Sequence, residues 1–244
     1  MPQRAWVMQQ RWERLLFAHW PVPAAPLRER LPAGVELDLH EGEAWLGVVP
    51  FEMHAVRARC CPPLPSAHAF PELNVRTYVR CGDKPGVWFF SLDAASLLAV
   101  WGARLLFHLP YFHARMSSTT EGAGVSYASE RTHRGAPPAR FRARYAPTSE
   151  VRAAAPGSLE HFLTERYCLY AADRGGRIYR GEIQHRPWPL QSAELELEHN
   201  EMARCHELAL PDTSPLCHYA ARIEVVVWSL QRVKPGAANA SVRA

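Results

Sequence analysis

Leu73-Asn74-Val75-Arg76-Thr77-Tyr78-Val79, followed by Gly82-Asp83-Lys84-Pro85-Gly86 and Val87-Trp88-Phe89-Phe90-Ser91-Leu92, decides the fold class. In the first run apolar residues alternate with polar ones at a period of two, which is the signature of a strand with two different faces. The middle five residues are turn formers, so the chain reverses into a hairpin. The return run is apolar at nearly every position, and such a strand belongs in the centre of a sheet, covered on both sides.

Working outward, Val35, Leu37 and Leu39 alternate with Glu36, Asp38 and His40 before Glu41-Gly42, and Ala44 to Met53 returns. This predicts another hairpin. Further hairpin-like segments surround Glu121-Gly122-Ala123-Gly124 and run through Phe141, Ala143 and Tyr145, with Arg140, Arg142 and Arg144 on one strand face. Ile178 to His185, Ala193 to Glu198 and a buried final strand from Arg222 to Leu230 complete the β signal. Helices are expected over Ala24 to Leu31, over Ala95 to Phe107, and from an N-cap at Ser158 through Leu159 to Ala171, with a short one near Glu201 to Leu208. The helix over 95–107 is largely apolar and is expected to plug or cap the sheet. Cys60 to Phe70, carrying Pro62, Pro63 and Pro65, reads as a loop.

The 244 residues show no repeat and no composition break, so residues 1–234 are expected to form one domain, with a frayed tail at 235–244. Of the 28 basic residues only Lys84 and Lys234 are lysines, leaving 26 arginines. The net charge of +4 is spread through mixed-sign runs, which argues against a nucleic-acid stripe. Six cysteines form no CxxC pair, and His108 and His113 lack ligand spacing, so no metal and no cofactor are expected. No apolar run is long enough to cross a membrane, and no secretory leader is read at the amino terminus; together with unpaired cysteines this predicts a cytoplasmic protein.

Longer segments resemble a known family. Leu15-Leu16-Phe17-Ala18-His19-Trp20-Pro21-Val22-Pro23, Trp45-Leu46-Gly47-Val48-Val49-Pro50-Phe51, Phe70 to Val79, Gly86 to Ala94, Leu109 to Met116 and Tyr179-Arg180-Gly181-Glu182-Ile183 resemble the YqjF-like family of the acetoacetate decarboxylase-like superfamily. The resemblance spans nearly the whole chain. It implies a mainly β fold, α+β by content: an antiparallel, cone-shaped acetoacetate decarboxylase-like barrel with two or three inserted helices around a buried pocket. In the decarboxylases a lysine after a proline forms a Schiff base with the keto acid. Here the matching stretch is Leu109-Pro110-Tyr111-Phe112-His113-Ala114, and it has no lysine. Lys84 and Lys234 each precede Pro-Gly, which places them in exposed turns, where a hydrated amine stays protonated and is a poor nucleophile.

Glu72 resembles a pocket glutamate of the decarboxylases, and Asn74, Arg76 and Tyr78 follow it on the same face. If that face is inward, a carboxyl, an amide, a guanidinium and a phenol converge on one volume; if outward, they are an ordinary polar strand exterior. Tyr111, His113 and Arg115, two apart after Pro110, are the expected second wall, and His19 and Asp93 join the pocket by resemblance alone. Three functions remain open: binding of a small carboxylate- or carbonyl-bearing molecule without covalent chemistry, an acid–base enzyme using Glu72 or His113, and an assembly protein with a filled interior. The partners expected are a small-molecule ligand and, left open, further copies of the chain in a homo-oligomer; neither nucleic acid nor membrane is expected.

Overall fold

The computed structural model describes residues 2–62 and 69–233. Thirteen strands form one sheet: β1 (Met8–Val22), β2 (Glu36–Leu37), β3 (Ala44–Ala58), β4 (Ala69–Cys81), β5 (Lys84–Ala94), β6 (Tyr111–Glu121), β7 (Gly124–Arg131), β8 (Arg140–Pro147), β9 (Cys168–Ala172), β10 (Ile178–Gln184), β11 (Leu190–Asn200), β12 (Leu216–Val227) and β13 (Gln231–Arg232). Helices α1 (Ala24–Glu29), α2 (Leu97–Phe107) and α3 (Leu159–Thr164) interrupt them, with a 3-10 turn at Arg204–His206.

The deciding hairpin forms as read: β4 and β5 pair from Glu72↔Ala94 to Cys81↔Lys84, and Gly82 takes the positive φ of the turn. β5 is central. It is antiparallel to β4 but parallel to β6 (Leu92↔Tyr111) and to β9 (Val87↔Leu169), so the otherwise antiparallel sheet has two parallel junctions. From β6 the ladder runs β7, β8, β11, β12, β1, β3, β4 and so back to β5: the pairings form a ring. β10 makes a second link, between β9 and β12.

Both faces of β4 are covered. Leu73 and Val75 enter a core with Leu46, Tyr127 and Phe141, while Phe70 lies on the other face, in a core with Phe17, Phe51, Leu92, Trp188 and Val225. Glu72, Asn74, Arg76 and Tyr78 share the parity of Phe70 and are all buried, so the polar set is covered on the Phe70 face, opposite Tyr127 and Phe141.

Four expectations are corrected. Residues 35–39 do not pair with β3, whose two edges are already taken by β1 and β4; β2 instead pairs with the end of β4, and the Glu41-Gly42 turn closes only a His40↔Glu43 bridge. Ser158 caps α3, accepting from the His161 amide, but the helix stops at Thr164, because Cys168–Ala172 is drawn into the slot beside Val87 and Trp88 as β9. Lys84 is not out in the turn: it is the first residue of β5, and its amine meets Glu182 at 2.7 Å. Finally, α2 caps the core with Ala99, Val100, Ala103 and Phe107 and does not plug the sheet; Leu97, Leu98, Trp101, Leu105 and Leu106 point away from it. Lys234, the 235–244 tail and most of the proline-rich loop lie outside the described residues. No helix among the described residues is long and apolar enough to cross a membrane.

Candidate functional site

The buried polar face of β4 is reached by side chains from β1 and β6 and by a backbone carbonyl of α3, which make two adjoining groups.

The first is built on Glu72. Tyr111, the first residue of β6, donates its hydroxyl to both carboxyl oxygens, at 3.1 and 3.0 Å. Burial pushes Glu72 up to about 8, opposed by the Tyr111 hydrogen bond and helped by the nearby charge of Asp93. Burial and Glu72 likewise raise Tyr111 well above a normal phenol. At neutral pH the pair is therefore an uncharged acid beside an uncharged phenol. On the opposite face of the sheet, the Leu73 side, Asp93 at the end of β5 takes three short contacts of 2.8 to 3.1 Å from the Arg131 guanidinium, with neither side chain exposed to solvent beyond 1%. Phe112 stacks under that guanidinium at 4.3 Å.

The second group is built on Arg76 and Tyr78. Tyr78 donates its hydroxyl to the Leu163 carbonyl of α3 at 2.7 Å, and the same oxygen lies 2.6 Å from His19 Nε2. The phenol has only one proton, so Nε2 must carry the hydrogen and His19 Nδ1 is a bare acceptor. Burial first, then the Arg76 charge, holds His19 well below the usual imidazole range, in agreement with a neutral ring. Gly47 permits this placement. A Cβ there would lie 3.0 Å from the His19 ring, which crosses β3 to reach Tyr78.

Arg76 has no carboxylate. Nη2 donates to the Leu163 carbonyl at 3.1 Å and approaches the Tyr78 hydroxyl at 3.5 Å, and the guanidinium lies over the Phe17 ring at 5.1 Å. Its Nε is buried without a partner among the described residues, as are Asn74 Oδ1, His19 Nδ1, His185 Nε2 and Trp188 Nε1. Trp188 packs edge-on against Phe17 and contacts His185, so several of these atoms belong to one neighbourhood. Buried polar atoms are ordinarily paired, and such a concentration of unpaired ones marks a place for something polar.

The second wall is corrected. Tyr111 is in the site, but His113 is half-buried against Thr132 (3.0 Å), and Arg115 is exposed and paired with Glu130. β6 stays beside β5 for only three residues before joining β7; beyond that point the face that Tyr111, His113 and Arg115 share is open to solvent, while Phe112, Ala114 and Met116 lie on the other face. His19 meets Tyr78 on the polar face of β4, whereas Asp93 pairs with Leu73 on the opposite face. Arg131, in the row Val125, Tyr127, Ser129 and Arg131 of β7 at period two, belongs to the opposite face, with Leu73 and Val75. Among the described residues no three His, Cys, Asp or Glu side chains gather as metal ligands.

This topology is the acetoacetate decarboxylase-like fold. The acetoacetate decarboxylase of Legionella pneumophila superposes with a TM-score of 0.64 over 96% of this chain and 92% of its own, at 13% identity. The enduracididine biosynthesis enzyme MppR, in its complex with pyruvate, gives 0.65 over 96% and 93%, at 11% identity. Within that fold the chain belongs to the DUF2071 family, described as uncharacterized conserved protein, whose model matches residues 9–224. It is 46% identical over 232 residues, 95% of either chain, to the uncharacterized protein YqjF of Bacillus subtilis (strain 168).

Proposed function

We propose that the chain binds a small organic carboxylate bearing a carbonyl or similar polar group, held without a Schiff base inside a closed, cone-shaped barrel. The observation that carries this reading is the Arg76 guanidinium, only 9% exposed and lacking an anion. A buried unpaired charge costs several kcal/mol, and a ligand carboxylate removes that cost by a charge-assisted, two-pronged contact. The carboxyl nearest along the same strand face does not compete for it, because burial keeps Glu72 protonated at neutral pH. The bare acceptors Asn74 Oδ1 and His19 Nδ1 would take donors of the ligand, and Glu72 would give a hydrogen bond to a carbonyl. Pyruvate, present in the MppR complex, is a ligand of this class. Lys84 is committed to Glu182 at the turn end of the β4–β5 hairpin, nine positions along β4 from Glu72 and on the order of 30 Å away. The unpaired atoms weigh against a filled, purely structural interior.

The test is calorimetry with pyruvate and other small 2-oxo and aliphatic carboxylates on the natural chain and on Arg76→Met. Binding by the natural chain and a loss of about 2–3 kcal/mol in the variant are expected, since a charge-assisted bidentate contact is removed. Equal affinity in the variant, or no carboxylate bound at all, overturns the reading.

A second reading is favoured by Glu72 itself: a carboxyl with its pKa near 8 is suited to moving protons at neutral pH. It expects exchange of the ligand's α-hydrogens with deuterated water, followed by proton NMR, and its disappearance in Glu72→Gln while binding persists. Binding without exchange leaves a binding protein.

A further inference from the structure

Helix α2 is apolar on the side that faces away from the sheet. At 3.6 residues per turn, Leu97, Leu98, Trp101, Gly102, Leu105 and Leu106 fall on one half of its surface, and the five large ones are between 50% and 77% exposed. Ala99, Val100, Ala103 and Phe107 on the other half join the core around Phe17. The helix's single charge, Arg104, leaves the outward stripe and donates to the Tyr111 carbonyl at 2.7 Å. The stripe therefore contains no polar group at all, whereas a helix on a soluble surface normally turns a polar face to water.

We infer that this stripe is an interface between two copies of the chain, packed α2 against α2 about a two-fold axis. Three observations select this occupant. The five side chains present roughly 600 Å² of contiguous apolar surface, more than a monomer ordinarily leaves open. Doubled by symmetry, that gives on the order of 1,200 Å², the lower bound of a specific interface. The stripe is also self-complementary: a Cβ on Gly102 would meet nothing within 4 Å, so that position is an open notch bordered by Leu98, Leu105 and Leu106, and Trp101 is the adjacent knob. A two-fold axis requires knob and notch on the same surface, so that each inserts into the other. A lipid surface fits less well. Helices that lie in a membrane interface carry lysine and arginine along a solvated polar face, and here the opposite half of α2 is packed against protein.

The test is sedimentation equilibrium of the natural chain across the micromolar range, with Leu105→Glu and Gly102→Leu alongside. Dimer is expected for the natural chain, and at least tenfold weaker association for both variants with an unchanged circular dichroism spectrum. Gly102→Leu fills open space on the outside of a helix and does not endanger folding, so it keeps the test valid should Leu105→Glu misfold. A natural chain that stays monomeric throughout, or a dimer indifferent to Gly102→Leu, overturns the inference. So does flotation of the monomer with vesicles of mixed phosphatidylcholine and phosphatidylglycerol, which would assign the stripe to lipid.

Discussion

Glu72→Gln isolates the physics of the site in a pH titration of stability. The carboxyl is fully buried and has a pKa of about 8, against 4.5 when exposed, with burial as the main cause. Between these values the folded chain holds a proton that the unfolded chain has released. The folded state therefore binds more protons, and stability falls as pH rises, by 1.36 kcal/mol per pH unit for one group. From pH 6 to pH 8 the natural chain should lose about 2 kcal/mol on account of Glu72, the slope flattening as pH nears the folded value. Glutamine keeps an oxygen to accept from Tyr111 but does not ionise. Its intrinsic cost is a constant offset, and the histidines, which titrate in both proteins, cancel in the comparison. Urea unfolding of the natural chain and Glu72→Gln at pH 6 and pH 8 measures the difference directly. The variant should gain about 2 kcal/mol relative to the natural chain across that interval. A constant difference would mean that the native carboxyl is already ionised at pH 6, and with it the neutral-acid description of Glu72 and the positive balance of the chamber would fall.

Arg131→Met should destabilise the chain by about 3–5 kcal/mol in urea unfolding, because it strands a buried Asp93; a loss under 1 kcal/mol would show that water reaches that carboxylate. Gly47→Ala should displace the His19 ring from the Tyr78 hydroxyl, costing about 1–2 kcal/mol of stability and weakening carboxylate binding, and an unchanged affinity would remove His19 from the site. Borohydride added with pyruvate should leave the intact mass unaltered, and a reduced adduct on any lysine would restore covalent imine chemistry.

The β4–β5 hairpin and the parity of Glu72, Asn74, Arg76 and Tyr78 were legible because side-chain period and turn chemistry are local. The direction of that parity was not, since alternation does not tell an inner face from an outer one, and only closure of the ring brings α3 and β1 over it. The same limit explains Cys168–Ala172. Its apolar residues fit a helical continuation of α3, yet a vacant place beside Val87 and Trp88 made it a strand. His113 and Arg115 were misplaced because they keep the parity of Tyr111 but lie at and beyond the last residue paired with β5, where that face is no longer covered. The outward stripe of α2 was visible as composition, but burial was assumed for it, as it is for most apolar helices.

The order of β1 in the sheet bears on how the chain must be made. Leu15 to Trp20 lie in a strand flanked by β3 and by β12, and its pairing with Leu216 to Val227 spans about 200 residues of sequence. During synthesis this apolar segment emerges about 200 residues ahead of β12, and one of its two ladders has no partner until β12 is made. Until then it is an open, sticky edge. Nascent chains of this protein should therefore lean on a holding chaperone, and refolding from denaturant should yield more at low protein concentration than at high.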